Sequence, residues 1–143
     1  MDQGEKMNVK IASFIKKNHV ASLSMQDGDG TWSFNCFYAV HEIGHLIFLS
    51  QDDTMHARLM KENAKISGTI ARQSRTVAAI QGVQFAGVAT ISHDKTIRGI
   101  YNRRFPFATA IEAELWIVQL DRVKYTSNLI AFGSKISWER TSL

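Results

Sequence analysis

The chain is expected to be mainly β, a small antiparallel barrel carrying about three short helices, and three observations lead there. Five or six runs of β-branched, aromatic or alternating apolar residues recur along its 143 residues. Tight turn signals link them, the strongest being Asp27-Gly28-Asp29-Gly30. Three short stretches have helical spacing and decorate the strands, a pattern unlike that of a doubly wound sheet.

From about Glu5 to Lys17 the apolar positions Met7, Val9, Ile11, Ala12, Phe14 and Ile15 predict an amphipathic helix that Asn18 ends. His19 to Met25 predicts a strand with Ala21, Leu23 and Met25 on one face and Ser22 and Ser24 on the other. The Asp-Gly turn leads to a second strand, about Thr31 to Val40, and a third runs from His45 to Ser50. That turn lacks the spaced acidic ligands of a calcium loop. Asp53 or Thr54 can cap a short helix, Met55 to Glu62, with Met55, Leu59 and Met60 turned inward. Ala64 to Ala71 predicts a strand, Arg72 to Arg75 a loop, and Val83 to Ile91 a further strand. Lys95 to Arg104 predicts a helix stopped at Phe105-Pro106, because the residue before proline is pushed out of the helical region. The last long strand is Ala113 to Tyr125, and Gly133 to Glu139 is a short strand or extended tail.

His41-Glu42-Ile43-Gly44-His45 spells H-E-x-x-H, the signature of zinc metalloproteases. Its chemistry needs a helix, where residues four apart share one face, so that both imidazoles reach one metal while the glutamate activates its water. The flanks argue for strands instead. Trp32 to Val40 is aromatic-rich and alternating, and His45 to Ser50 is a short apolar run closed by Gln51-Asp52-Asp53. Gly44 then belongs at the tip of a hairpin, where a positive φ has no steric penalty. No third ligand stands at the expected spacing, and Glu62, Glu112 and Glu114 form no ligand pattern. A zinc hydrolase using His41, Glu42 and His45 is the minor alternative, and no metal is expected.

The length suits one domain spanning residues 1–143. Hydrophobic residues at 45% and charged ones at 21% describe an ordinary globular chain rather than a disordered one. The single cysteine, Cys36, excludes an internal disulfide framework; with no signal peptide and no long apolar span, a cytoplasmic protein is expected, with no membrane partner. A net charge of +4 is spread out, with Lys16-Lys17 and Arg103-Arg104 as isolated pairs, so nucleic acid is not expected as a partner. Trp32, Trp116 and Trp138 read as core or interface aromatics, and Arg103-Arg104 as cations at a helix C-terminus.

The order of these elements and several local motifs resemble the pyridoxamine 5'-phosphate oxidase-like family of FMN-binding split barrels. Phe48 to Ile66 resembles its strand, phosphate turn, short helix and lead into the next strand. Gln81-Gly82-Val83-Gln84-Phe85-Ala86-Gly87-Val88-Ala89 resembles the following strand, Tyr101 to Pro106 the helix end, and Leu115 to Tyr125 the late strand. The resemblance covers about residues 8–126. It implies a homodimer with FMN in a cleft at the interface and a flavin-dependent oxidoreductase acting on an unidentified small molecule. On this resemblance Asn35, Cys36 and Phe37 border the flavin ring, and Ser50 and Gln51 end a strand against it. Thr54, Met55 and His56 occupy the phosphate turn, and Gln81 falls near a glutamine supplied by the second subunit.

The chain also departs from the family. Where the family commonly offers an Arg-Lys pair to the phosphate, this chain has Met55-His56, and an imidazole is mostly neutral at pH 7. Losing two charged hydrogen bonds at roughly 1.5–3 kcal/mol each weakens phosphate binding by about two to four decades unless other groups substitute. Arg58, Arg72, Arg75 or the helix amides at Thr54 to His56 are the candidates. A non-enzymatic ligand-binding module on the same barrel is the main alternative.

Overall fold

The computed structural model describes residues 6–128 and 134–141. Helix α1, Val9–Lys17, is capped by Asn8, whose side chain accepts a hydrogen bond from the Lys10 amide at 2.8 Å and so sets the start of the helix. The helix expected from about Glu5 therefore starts later, at Val9, with residues 6–8 outside it; Glu5 itself and Gly133, at the start of the expected tail, lie outside the described residues. Ile11, Phe14 and Ile15 form the buried face of α1.

The remaining elements follow as β1 (Val20–Asp27), β2 (Gly30–Phe37), β3 (Ala39–Glu42), β4 (His45–Ser50), α2 (Met55–Glu62), β5 (Lys65–Arg72), β6 (Gln81–Ser92), α3 (Lys95–Arg104), β7 (Glu114–Ser127) and β8 (Ser134–Glu139). Short 3₁₀ turns at Val77–Ala79 and Pro106–Ala110, which the sequence pattern did not announce, bracket β6 and α3. The eight strands among the described residues form one antiparallel sheet in the order β2-β1-β5-β6-β7-β4-β3, with β8 added to β7. The expected mainly β antiparallel barrel with three helices is therefore the observed fold.

Its closure follows from one residue. β2 and β3 are consecutive in the chain yet sit at opposite ends of the sheet order, with Tyr38 alone between them. A sheet whose outer strands are joined by one residue has to curl until those edges meet, with a seam that lacks backbone pairing. Side chains fill the seam: the rings of Phe34 on β2 and Phe48 on β4 are 5.8 Å apart. The single strand expected from Thr31 to Val40 is thus two strands. Tyr38 is fully buried, its amide donates to the His19 carbonyl at 2.9 Å, and its hydroxyl donates to the Ile15 carbonyl at 2.5 Å. Pinned to the end of α1, Tyr38 leaves the ladder of β1 and hands the chain to the other edge.

Trp116, Phe14, Phe48, Leu46 and Ile47 are among the largest side chains of the core that this curled sheet encloses with α1. Trp138 is also buried, whereas Trp32 is exposed. Arg104 does more than offset its own helix dipole. Its guanidinium donates to the carbonyls of Lys16 at 2.9 Å and Asn18 at 2.7 Å, which ties α3 to the end of α1.

The H-E-x-x-H stretch is strand, turn and strand. Glu42 pairs with His45 across Ile43-Gly44, and Gly44 takes φ +89°, a conformation that side-chain-bearing residues rarely adopt. The helical arrangement of a zinc protease is absent. No helix among the described residues is long and apolar enough to cross a membrane.

Candidate functional site

The barrel seam opens into a cavity of about 530 Å³, the size of ordinary small-molecule sites. One wall is β2, which contributes Phe34, Asn35, Cys36 and Phe37; the end of β4 contributes Leu49, Ser50 and Gln51. α2 sends in His56, and α3 with the following 3₁₀ turn supplies Tyr101, Phe105, Phe107 and Ala108. Six residues singled out from the sequence meet here: Asn35, Cys36, Phe37, Ser50, Gln51 and His56. A hollow of similar size, about 580 Å³, lies over β5 to β8, but Arg122, Lys124 and Glu139 in its walls make it charged strand surface rather than an apolar slot.

His56 is built into the cavity wall. Its ring stacks on Phe34 with centroids 3.6 Å apart and planes 6° from parallel, and Nε2 lies 2.9 Å from the Ser50 hydroxyl. Ser50 is buried and lies 3.1 Å from Thr54 Oγ1. Thr54 donates to the Gln51 carbonyl at 2.9 Å and accepts from the Ala57 amide at 3.2 Å, which caps α2. With the Thr54 proton on Gln51, the chain is satisfied when Ser50 donates to Thr54 and accepts from an Nε2–H of His56. Burial holds the His56 pKa below its usual value, consistent with a neutral ring. His56 is therefore neither a loose surface side chain nor a cation held out for a phosphate.

The phosphate turn of the resemblance lies beside the cavity. Thr54, Met55 and Arg58 line a shallow groove with Asp52, Asp53, Lys61 and Glu62. Two cations there face three carboxylates. Arg58 pairs with Glu62 at 3.2 Å and Lys61 pairs with Asp52, so the charges that could replace the Arg-Lys pair are already neutralised. Arg72 donates to the Gln81 side chain at 3.2 Å, and Gln81 donates to the Tyr125 hydroxyl at 2.8 Å. Neither Gln81 nor Arg72 nor Arg75 lines the cavity of this chain.

Two further groups are quiet chemically. Burial pushes the Cys36 thiol up to about 12, which leaves it protonated and non-nucleophilic at neutral pH. Tyr101 is pushed up to about 12, first by burial, and its hydroxyl donates to the Phe37 carbonyl at 3.0 Å, fastening α3 to the end of β2. Phe34, Tyr101 and Phe105 were not picked out as site residues from the sequence. The signal for Phe34 was its place two residues before Cys36 on the same alternating strand.

Barrel, seam and aromatic cavity together define a split-barrel protein with a built site for a small ligand. No family model matches the chain. It is 36% identical over 137 residues to a UPF0306 protein of Serratia proteamaculans, spanning 92% of this chain and 94% of that one. A UPF0306 protein of Yersinia enterocolitica is 38% identical over 136 residues, 92% of each chain. The chain belongs to the UPF0306 family. Among solved structures it is similar to a putative pyridoxamine 5'-phosphate oxidase from Listeria innocua, with TM-score 0.68 and 14% identity over 81% of this chain and 94% of that one. An FAD-binding protein from Mesorhizobium loti (TM-score 0.65, 12% identity) and the haem storage protein HutZ from Vibrio cholerae (0.65, 15%) each match 82% of this chain and 92% of their own. At these identities the likeness is one of fold.

Proposed function

We propose that this protein binds a planar aromatic cofactor of the flavin class in the seam cavity, as a homodimer of the pyridoxamine 5'-phosphate oxidase-like kind, and uses it for redox chemistry on a small molecule. One observation carries the reading: the strand segments that the resemblance assigns to the flavin ring, Asn35 to Phe37 and Ser50-Gln51, line one apolar cavity. The fold neighbours, an FAD-binding protein and a putative pyridoxamine 5'-phosphate oxidase, support it. The exposed Phe37 (59%) and Phe107 (93%) at the cavity rim support a second copy as cover. A cytoplasmic setting belongs to the same proposal.

The donor set fits the ring better than the phosphate. Phe34, Phe37 and Phe105 offer apolar contact, while the side chains of Asn35, Ser50 and Gln51 offer hydrogen bonds to ring heteroatoms. The groove at Thr54 to Lys61 offers a phosphate no net positive charge. A flavin, when bound, supplies hydride acceptance and return; this chain's residues hold and orient it and exclude water. Bound FMN is thus held mainly through its ring.

The test is a titration with FMN, followed by addition of NADPH or NADH. Saturable binding with reduction of the bound flavin supports the oxidoreductase; saturable binding without reduction by any donor leaves the barrel as a binding module. A protein that takes up no flavin sinks the proposal. Haem is the second reading, motivated by the neutral imidazole of His56 in the cavity wall and by the haem storage neighbour. A Soret band that shifts on His56→Ala would favour it over flavin.

A further inference from the structure

The hairpin that carries H-E-x-x-H is the part of the sequence that the seam cavity leaves unexplained. His45 and Ser50 are the two ends of β4, about 17 Å apart at roughly 3.4 Å per residue, so the hairpin tip is remote from the cavity. A bulge between Val40 and Glu42 breaks the strict alternation of β3. As a result His41, Glu42 and His45 each offer one ligand atom, and these atoms all lie within 4.8 Å of one another. The Glu42 carboxylate is 3.4 Å from His45 Nδ1, and the two imidazole centroids are 5.3 Å apart.

Two imidazole nitrogens of this cluster stand out for what they lack. His41 Nε2 and His45 Nδ1 are both buried and have no hydrogen-bond partner. The Glu42 oxygen is close enough to His45 for ion pairing but not aligned as an acceptor. Buried imidazole nitrogens left unpaired are costly, and a shared metal ion satisfies both at once.

We propose that the β3–β4 hairpin is a divalent transition-metal site with His41, Glu42 and His45 as its protein ligands. Two imidazoles and a carboxylate suit zinc, whose ligand atoms stand ~3.4 Å apart in a tetrahedron built on bonds of ~2.1 Å. The Glu42–His45 separation already has that length, and no pair of the three ligand atoms is more than 4.8 Å apart. Binding needs no partner reaction beyond loss of any imidazole proton. Glu42 is a ligand here, so it is not free to act as the base it would be on a helix, and hydrolysis does not follow. The metal's work is to clip the tip of the hairpin. Arg140, whose Nη2 donates to the Gly44 carbonyl at 3.1 Å, sets a positive charge beside the site, partly offset by Asp121 at 3.8 Å.

The experiment uses tag-free full-length protein stripped with a chelator, titrated with zinc against a chromophoric competitor, and repeated with cobalt. One zinc per chain is expected, with visible d–d bands of a four-coordinate cobalt site. His41→Ala is expected to weaken zinc binding at least about a hundredfold, beyond the roughly 10–100-fold effect of losing an outer-shell partner. Glu42→Gln, at an exposed position, is a second variant that leaves the fold alone, and unchanged far-UV circular dichroism verifies both. Zinc binding that is equal in wild type and both variants, or absent from wild type, overturns the site. Flavin titration of the same variants is expected to match wild type, so failure of the metal site and failure of the cavity reading are separable.

Discussion

Replacing His56 tests whether its imidazole is part of the cavity wall. His56→Ala removes a ring stacked on Phe34 at 3.6 Å, worth about 0.5–1.5 kcal/mol, and one hydrogen bond to Ser50, worth about 1 kcal/mol. Together they predict a loss of about 2 kcal/mol, or a fall in Tm of about 6 °C for a domain of this size. His56→Phe keeps the stack and loses only the bond, so it should cost about half as much. The pH dependence supplies an independent readout. Burial lowers the folded-state pKa of His56, so the unfolded chain takes up its proton first as pH falls. The stability that goes with the neutral ring is therefore present above the ordinary histidine value of about 6.5 and drains away as pH drops below it toward the lower folded value. His45, lowered chiefly by burial with Glu42 opposing, adds a share of the same sign. Urea unfolding followed by fluorescence of the buried Trp116, at fixed protein concentration from pH 7.5 down to about 5, reads both effects. Equal midpoints for wild type and His56→Ala across that range would refute the stacked, neutral imidazole.

Other consequences are equally direct. FMN and riboflavin are expected to bind within about tenfold of each other, because the groove at Thr54 to Lys61 has no net positive charge; a preference for FMN of three decades would contradict that. Cys36 lines the cavity but its thiol is pushed up to about 12, so it should react with a thiol reagent at pH 8 far more slowly in the folded protein than after unfolding, and equal rates in the two states would contradict the raised value. Tyr38→Phe should cost about 1–2 kcal/mol by orphaning the Ile15 carbonyl at the end of α1, as measured by chemical denaturation. Gly44→Ala should cost about 1–2 kcal/mol, since φ is +89° and an added β-carbon meets the Arg140 guanidinium at 2.9 Å; no change in Tm would show that the turn relaxes.

Local chemistry made much of this legible. Asn8, Thr54 and Asp94 cap the three helices as short polar residues should, and alternation marked β1, with Ala21, Leu23 and Met25 buried. Gly44 before His45 was enough to place a turn within H-E-x-x-H. Two features were beyond reach because they depend on contacts distant in sequence. Tyr38 is a good strand residue, and only its bonds to His19 and Ile15 reveal that the chain changes edges there. The cavity draws part of its wall from Tyr101, Phe105 and Phe107, which meet β2 only after the barrel closes. The charge of the phosphate turn was a local matter by contrast: Arg58 looks available in the sequence, but Glu62 one helical turn later pairs with it. The bulge that gathers His41 with Glu42 and His45 left no mark in the letters.

The cavity is the central claim, and blocking it is the most direct test. FMN fluorescence should be quenched saturably by wild-type protein and left nearly unchanged by Ala113→Trp, which places an indole in the cavity lined in part by Ala113. No saturable quenching by wild type, or equal quenching by both proteins at matched stability, would contradict the assignment of the seam cavity as the flavin site.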